Sequence, residues 1–207
     1  MSAGTRIPLE RAMLLAEGLY RQWRLDPDQV TVVGSVRRGS EWVGDLEFVA
    51  PMGDPKNDLL CGRILCTMDG YVPDSIYGEQ PAGVIGRAVK GLKPGFKAAS
   101  LLIRTRTAGE VAVQIYRFTP ENRGWITLMR TGPGDFGEWF LGKWKDHHGI
   151  PRGDPSSRGS IDGNLVDAQG VIVPVRSEDE CFRRCGMEPV EPERRGEFIA
   201  HVQRARA

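Results

Sequence analysis

The sequence has little excess charge of either sign, and this narrows the class of protein it encodes. Its 207 residues include 28 Lys and Arg against 27 Asp and Glu, so the formal net charge is only +1. Proteins that hold nucleic acid by themselves commonly carry a strong basic excess, because phosphate contacts supply much of their affinity. The near-neutral balance therefore predicts that any nucleic-acid partner is held weakly, through local basic patches.

Cysteine is also scarce. The four cysteines form no CxxC pair; they are Cys61, Cys66, Cys181 and Cys185. A zinc cluster commonly uses such closely spaced pairs, and a disulfide framework needs an oxidising compartment. We therefore expect buried or helix-surface thiols in a reducing compartment, rather than a zinc site.

Long apolar runs are missing as well. No stretch is long enough to cross a bilayer, and the N-terminal segment lacks the apolar core of a signal peptide. These absences predict an intracellular protein without a membrane partner. With 40% hydrophobic residues, the chain has enough apolar surface for one ordinary domain or two small lobes.

The most informative stretch is residues 30–50, whose pattern predicts a strand, a turn and a second strand. Residues 30–33 form a short apolar run, and Gly34 then permits a close backbone approach. Ser35 is a favourable N-cap for a short helical turn, and the free N–H groups of such a turn bind anions. Arg38 adds a guanidinium that matches phosphate oxygens.

Two carboxylates follow on the second predicted strand. Side chains two residues apart lie on the same face of a strand, so Asp45 and Glu47 project together while Leu46 and Phe48 point into the core. Paired carboxylates beside an anion site suit a hard cation, and Mg²⁺ is the expected one. The alternative is a β-hairpin with solvated arginines and surface acids.

These residues resemble a known family. Gly-Ser-x-Arg-Arg-Gly at residues 34–39, then Gly-Asp-Leu-Glu at residues 44–47, is similar to the nucleotidyltransferase core of the DNA polymerase beta family, also called family X. The similarity extends more loosely from about residue 8 to residue 196. It implies an α+β fold, in which a palm with a mixed β-sheet and helices on one side (residues 1–130) precedes a small α+β thumb-like lobe (residues 131–207).

The resemblance also implies an activity. Family members add deoxynucleotides to a primer 3′-hydroxyl by a two-metal mechanism, with Mg²⁺ or Mn²⁺ as cofactor. Asp45 and Glu47 would hold metal. Nucleotide binding would fall to Gly34, Ser35, Arg38, Gly44, Thr131 and Gly132. The partners would be a deoxynucleoside triphosphate and weakly held primer-template or gapped DNA, and the protein would be a monomer in the cytoplasm of a bacterial or phage-infected cell.

Two positions depart from the family pattern, and the milder departure is Glu47, where the family commonly has aspartate and glutamate only lengthens the side chain. Family members carry a third catalytic carboxylate on a later strand, and counting back from Thr131 and Gly132 places that position at Gln114. The acid on the same strand face, Glu110, lies about 13 Å away along an extended strand, too far to share a metal bound at about 2.1 Å. Losing one such charge predicts a rate loss on the order of 10² to 10³, and hence weak or manganese-dependent activity.

Two other functions remain open for this sequence. The chain is either a catalytically silent family member that binds nucleotide or DNA, or a nucleotidyltransferase that modifies a protein or small molecule. Three lysines, Lys90, Lys93 and Lys97, flank a predicted turn. They either contact nucleic-acid phosphates or lie on a solvated turn, and the sequence favours neither.

Periodicity predicts the remaining elements. Helices are expected over residues 8–23, 59–68, 123–130 and 133–148, and strands over residues 84–90, 96–104 and 111–118. Residues 69–83 read as a loop and residues 163–174 as a hairpin. Ser177 is expected to cap a helix. The aromatic residues expected mainly in the core of the second lobe are Phe136, Trp139, Phe140 and Trp144.

Overall fold

A computed structural model describes residues 6–68, 88–105, 109–152 and 158–205, and the chain forms two compact units, Met1–Arg117 and Phe118–Ala207. The fold is α+β with a mixed sheet, as the sequence predicts at this level of detail. The sequence pattern puts the end of the first lobe at residue 130, whereas the compact units divide after Arg117. The strand that carries Gln114 therefore lies in the first unit except for its last residue.

The first unit is built on a five-stranded sheet. Its elements in chain order are β1 (Ile7–Pro8), α1 (Leu9–Gln22), β2 (Thr31–Val33), α2 (Gly34–Arg37), β3 (Trp42–Val43), β4 (Asp45–Pro51), α3 (Leu59–Met68), β5 (Ala88–Lys90), β6 (Ala98–Thr105) and β7 (Gly109–Phe118). The strand order is β2-β4-β7-β6-β5, and β1 pairs with β3 separately. This order places β4 beside β7, although the two strands are far apart in sequence.

The main sheet has one buried face and one more open face. On β4, Leu46 and Phe48 are buried, whereas Asp45 and Glu47 are partly exposed. Strand β7 alternates in the same way, and Gln114 is one of its partly exposed residues. This alternation is expected of strands that cover a core on one side only.

Helices α1 and α3 pack against the buried face. The buried residues of α1 are Ala12, Leu15, Ala16 and Leu19. They share one apolar cluster with Cys61 and Ile64 of α3 and with Phe48 of the sheet. Both predicted helices are therefore confirmed, and each contributes its apolar side to the same core.

A buried ion pair connects the end of β7 to the start of α3. Arg117 donates to Asp58, and the two side chains are only 2% and 1% exposed. Arg117 also donates to the Pro51 carbonyl at 2.8 Å, and Asp58 accepts from the Gly95 N–H at 3.1 Å. Burial by itself would raise the pKa of Asp58, but the hydrogen bonds from Arg117 and from backbone N–H groups hold that pKa below its usual value. The resulting stabilisation is present above the ordinary carboxyl pKa and is lost as the pH falls through the lowered one.

Breaking this pair is expected to cost much stability. In Arg117→Met, Asp58 would remain buried without its counter-charge, so the free energy of unfolding should fall by about 3–5 kcal/mol. Urea denaturation measures this change. Arg104→Met is the matched control, because Arg104 and Glu110 pair at the surface, where about 0–1 kcal/mol is expected. Equal losses in the two variants would contradict this account of the pair.

The second unit is mainly helical. Its elements are α4 (Arg123–Thr131), α5 (Gly134–His147), β8 (Ser160–Ile161), β9 (Asn164–Leu165), α6 (Glu178–Arg183), a 3-10 helix (Pro192–Arg194) and α7 (Arg195–Arg204). Phe136, Phe140 and Trp144 of α5 are buried in its core, as predicted. Trp139 is only partly buried and packs against Phe198, with ring centroids 4.9 Å apart.

Local predictions in the second unit hold to different degrees. Ser177 caps α6 as expected, since its hydroxyl accepts from the Glu180 N–H at 3.1 Å. The hairpin predicted over residues 163–174 forms, since Val166 and Ile172 make an antiparallel bridge. A second, tighter hairpin that was not predicted joins β8 to β9 through Asp162 and Gly163, which both have positive φ, as is typical of an Asp-Gly turn.

Some predictions fall on other parts of the chain. The loop expected over residues 69–83 and the first half of the strand expected over residues 84–90 lie outside the described residues.

Of the four cysteines, Cys61, Cys181 and Cys185 are buried free thiols, as expected. No helix in the described part of the chain is long and apolar enough to cross a membrane.

Candidate functional site

The predicted anion-binding turn follows β2 directly. Helix α2 is a single turn that begins at Gly34, whose φ is +67°. The positive φ favours glycine here, and a Cβ atom on Gly34 would lie 2.0 Å from Oε2 of Glu47, so a side chain at this position would also displace that carboxylate. The sheet register pairs Val33 with Glu47, which explains why the turn begins beside this carboxylate.

Ser35 does not cap this turn, so that prediction is wrong. Val33 occupies the cap position, and the turn begins at Gly34, two residues before the start that a Ser35 cap would give; glycine can adopt the positive φ found there. Ser35 lies inside the turn, and its hydroxyl oxygen is buried with no hydrogen-bond partner among the described residues. A buried hydroxyl without a partner is energetically unfavourable, so this atom suits a polar group of a ligand.

The structure brings Asp45 and Gln114 together. Gln114 Nε2 donates to Asp45 Oδ2 at 2.6 Å, although the two residues are 69 positions apart in sequence. Tyr116, two residues further along β7, donates its hydroxyl to Gln114 Oε1. Both ends of the Gln114 amide are therefore engaged, with the N–H towards Asp45 and the carbonyl towards Tyr116.

The charge on Asp45 is unfavourable for the fold in the absence of a further positive charge. Burial raises the pKa of Asp45, while the hydrogen bond from Gln114 and the positive charge of Arg38 act in the opposite direction. Because the net effect is a raised pKa, ionised Asp45 destabilises the folded state above that pKa. A cation bound beside Asp45 would offset this destabilisation.

The other predicted binding residues lie as follows. Gly44 directly precedes β4, and a Cβ atom there would meet nothing within 4 Å, so open space lies beside it. Thr131 is fully buried at the end of α4, and Gly132 follows it with a φ of 61° and a cis peptide bond to Pro133. Thr131 and Gly132 belong to the second compact unit.

Other charged residues of the first unit that the sequence singles out are exposed. Glu110 forms an exposed ion pair with Arg104 at 3.2 Å. The three lysines Lys90, Lys93 and Lys97 are all exposed.

The residues present fit one divalent cation and do not fit a second. Asp45 and Glu47 offer carboxylate oxygens on one side of β4, which are the donors that Mg²⁺ prefers. At the expected third position, Gln114 presents an N–H rather than an oxygen. Within the described ranges, no group of three or more His, Cys, Asp or Glu side chains is arranged to hold a metal ion. A second cation therefore lacks the carboxylate that the resemblance implies.

Sequence reasoning missed Tyr116. The two-residue period of a strand places Tyr116 on the same face as Gln114, and this was the available signal. No sequence pattern, however, indicates that its hydroxyl reaches the Gln114 carbonyl.

Gly34→Ala tests the close approach at the turn. Alanine would have to adopt a left-handed conformation, which costs roughly 1–2 kcal/mol, and its Cβ would displace the Glu47 carboxylate. Urea denaturation should therefore show a loss of at least that size. Gly134→Ala is the control, since a Cβ atom there meets nothing within 4 Å. If the free energy of unfolding of Gly34→Ala equals that of the natural chain, the turn tolerates a side chain at this position.

No model of a known protein family matches this chain, and no curated protein matches it.

Proposed function

We propose that this chain is a nucleotidyltransferase of the DNA polymerase beta type, which adds deoxynucleotides to a primer 3′-hydroxyl at a rate reduced by Gln114. The convergence of three separate segments carries the proposal. Gly34 lies against Glu47, and Gln114, the position that the family pattern assigns to the third carboxylate, is hydrogen-bonded to Asp45. A simple hairpin with surface acids gives no reason for Gln114 to meet Asp45.

The residues of the turn would bind the triphosphate. The Ser35 hydroxyl and the N–H groups of α2 would donate to phosphate oxygens, and Arg38 would add a positive charge. The resemblance adds Gly44 to this set. The open space beside Gly44 is consistent with a ligand close to the backbone.

The paired carboxylates would hold one Mg²⁺ or Mn²⁺, which when bound neutralises phosphate charge in the transition state. In the reaction, the primer 3′-hydroxyl would lose its proton to solvent water, its oxygen would form a bond to the α-phosphorus, and the bond to the β,γ-diphosphate would break to release pyrophosphate. Gln114 is neutral, so it neither balances a cation nor accepts the proton of the attacking hydroxyl. This is the physical reason for the expected slow rate.

Gln114 also favours a second candidate function, in which the chain binds nucleotide without transferring it. The phosphate turn and the two carboxylates are sufficient for binding. Only the transfer step needs the missing charge, so the two candidates share one site and differ in turnover.

Incorporation of a labelled deoxynucleotide tests the proposal. The natural chain would be given gapped duplex, single-stranded primer or no DNA, each with Mg²⁺ or Mn²⁺, and nucleotide binding would be measured in parallel. We expect slow incorporation that depends on a templated primer and is faster with Mn²⁺. Binding without incorporation would favour the silent family member, and incorporation without DNA would indicate another acceptor. Absence of both binding and incorporation would contradict a nucleotidyltransferase.

A further inference from the structure

We propose that Gln114 and Tyr116 make this a single-cation site, in which the Gln114 amide occupies the place on Asp45 that a second divalent cation would need. This inference deepens the proposed function and rests on it. It assigns a positioning role to Tyr116, a residue outside the set that the family pattern supplies.

The oxygen of Asp45 that faces β7 already accepts a hydrogen bond. Gln114 Nε2 lies 2.6 Å from Asp45 Oδ2 and directs the positive end of an N–H bond at it. A divalent cation would have to bind the same oxygen at about 2.1 Å. The amide hydrogen and the cation would then compete for one side of the carboxylate and repel each other.

The Gln114 side-chain amide is held in one orientation by its two hydrogen-bond partners. An amide side chain has a donor end and an acceptor end, and its hydrogen-bond network determines which end faces which neighbour. Here the acceptor end receives the Tyr116 hydroxyl. Reversal of the amide would place two acceptor oxygens, Gln114 Oε1 and Asp45 Oδ2, against each other and would break the present hydrogen bond from Tyr116.

The side chains around Gln114 and Asp45 offer no further negative charge for a second cation. Ser100, the residue of β6 that lies directly opposite Gln114, carries no charge. Glu110 is paired with Arg104, and Arg38 brings a positive charge close to Asp45. None of these groups supplies the negative charge that a second cation needs. The arrangement therefore favours one cation, bound through the outer oxygens of Asp45 and Glu47 together with the nucleotide.

Electron paramagnetic resonance of Mn²⁺ tests this directly, because it counts bound ions without requiring turnover. The protein would be saturated with a non-hydrolysable deoxynucleoside triphosphate analogue and titrated with Mn²⁺. The natural chain should bind one Mn²⁺ per bound nucleotide. Gln114→Glu, which keeps the length of the side chain and replaces the N–H group by a carboxylate oxygen, should bind two.

Two further variants separate the positioning of the Gln114 amide by Tyr116 from the general effect of an added negative charge. Gln169→Glu makes the same chemical change at an exposed turn and should behave like the natural chain. Tyr116→Phe should tighten binding of the second Mn²⁺ by roughly 2- to 10-fold, the effect of removing one hydrogen bond that holds the amide. A merely structural role for Tyr116 would leave the affinity of the second ion unchanged.

The outcomes distinguish this inference from the proposed function. Two equally tight Mn²⁺ ions in the natural chain, or one ion in a folded Gln114→Glu variant, would overturn the single-cation site and leave nucleotide binding intact. Lack of any Mn²⁺-dependent nucleotide binding in the natural chain would overturn the proposed function, and the inference with it. Thermal unfolding of Gln114→Glu beside Gln169→Glu establishes that the variant is folded.

Discussion

Replacing Gln114 by aspartate is expected to raise the rate of primer extension by about 10² to 10³, the effect of restoring one transition-state charge. The substitution removes the N–H that now faces Asp45 Oδ2 and adds a negative charge at the same position. Aspartate is also one methylene shorter, which leaves space between the two carboxylates. Single-turnover extension of a gapped duplex would measure the change without interference from product release.

The control for this variant is Gln169→Asp, which adds the same charge on an exposed turn of the second unit. It should extend at the natural rate. If the natural chain already extends rapidly and Gln114→Asp brings no gain, Gln114 does not occupy the position of the third carboxylate.

The second large effect is expected in Asp45→Asn, which should lose extension by at least about 10² to 10³ and lose Mn²⁺-dependent nucleotide binding. A neutral amide at this position cannot balance a cation beside the triphosphate. Extension assays and nucleotide titrations with Mn²⁺ would measure both losses.

The free energy of unfolding of Asp45→Asn shows whether its loss of activity comes from unfolding. Burial raises the pKa of Asp45, so the ionised carboxylate destabilises the fold at neutral pH, and a neutral Asn should leave the free energy of unfolding unchanged or raise it. Asp28→Asn, in an exposed turn, serves as the control for activity. Undiminished extension by Asp45→Asn would place the active carboxylate elsewhere.

The sequence predicts the local features of the site well. Strand alternation alone indicates that Asp45 and Glu47 share a face, and the glycine at residue 34 indicates a close approach. The exact start of the turn was missed, because the positive φ of Gly34 shifts the helical turn and moves Ser35 from the cap to its interior.

Long-range contacts were less predictable. Gln114 reaches Asp45 only because β7 lies beside β4, and periodicity does not indicate which strands are neighbours in the sheet. The Tyr116 hydroxyl and the buried pair of Arg117 with Asp58 had no sequence signal, since each depends on side chains that the completed fold brings together. In the second unit, helical periodicity identified Phe136, Phe140 and Trp144 as core residues, but Trp139, which shares the same spacing, is only partly buried.

The central claim is that the turn at Gly34 and Ser35 and the carboxylates of Asp45 and Glu47 form one nucleotide–cation site. The most direct test is a crystal structure of the natural chain with Mn²⁺ and a non-hydrolysable deoxynucleoside triphosphate analogue, with the ions located by anomalous scattering. We predict phosphate oxygens against the turn and a manganese signal beside Asp45 and Glu47. A nucleotide bound elsewhere, or no manganese signal at these two carboxylates, would contradict the claim.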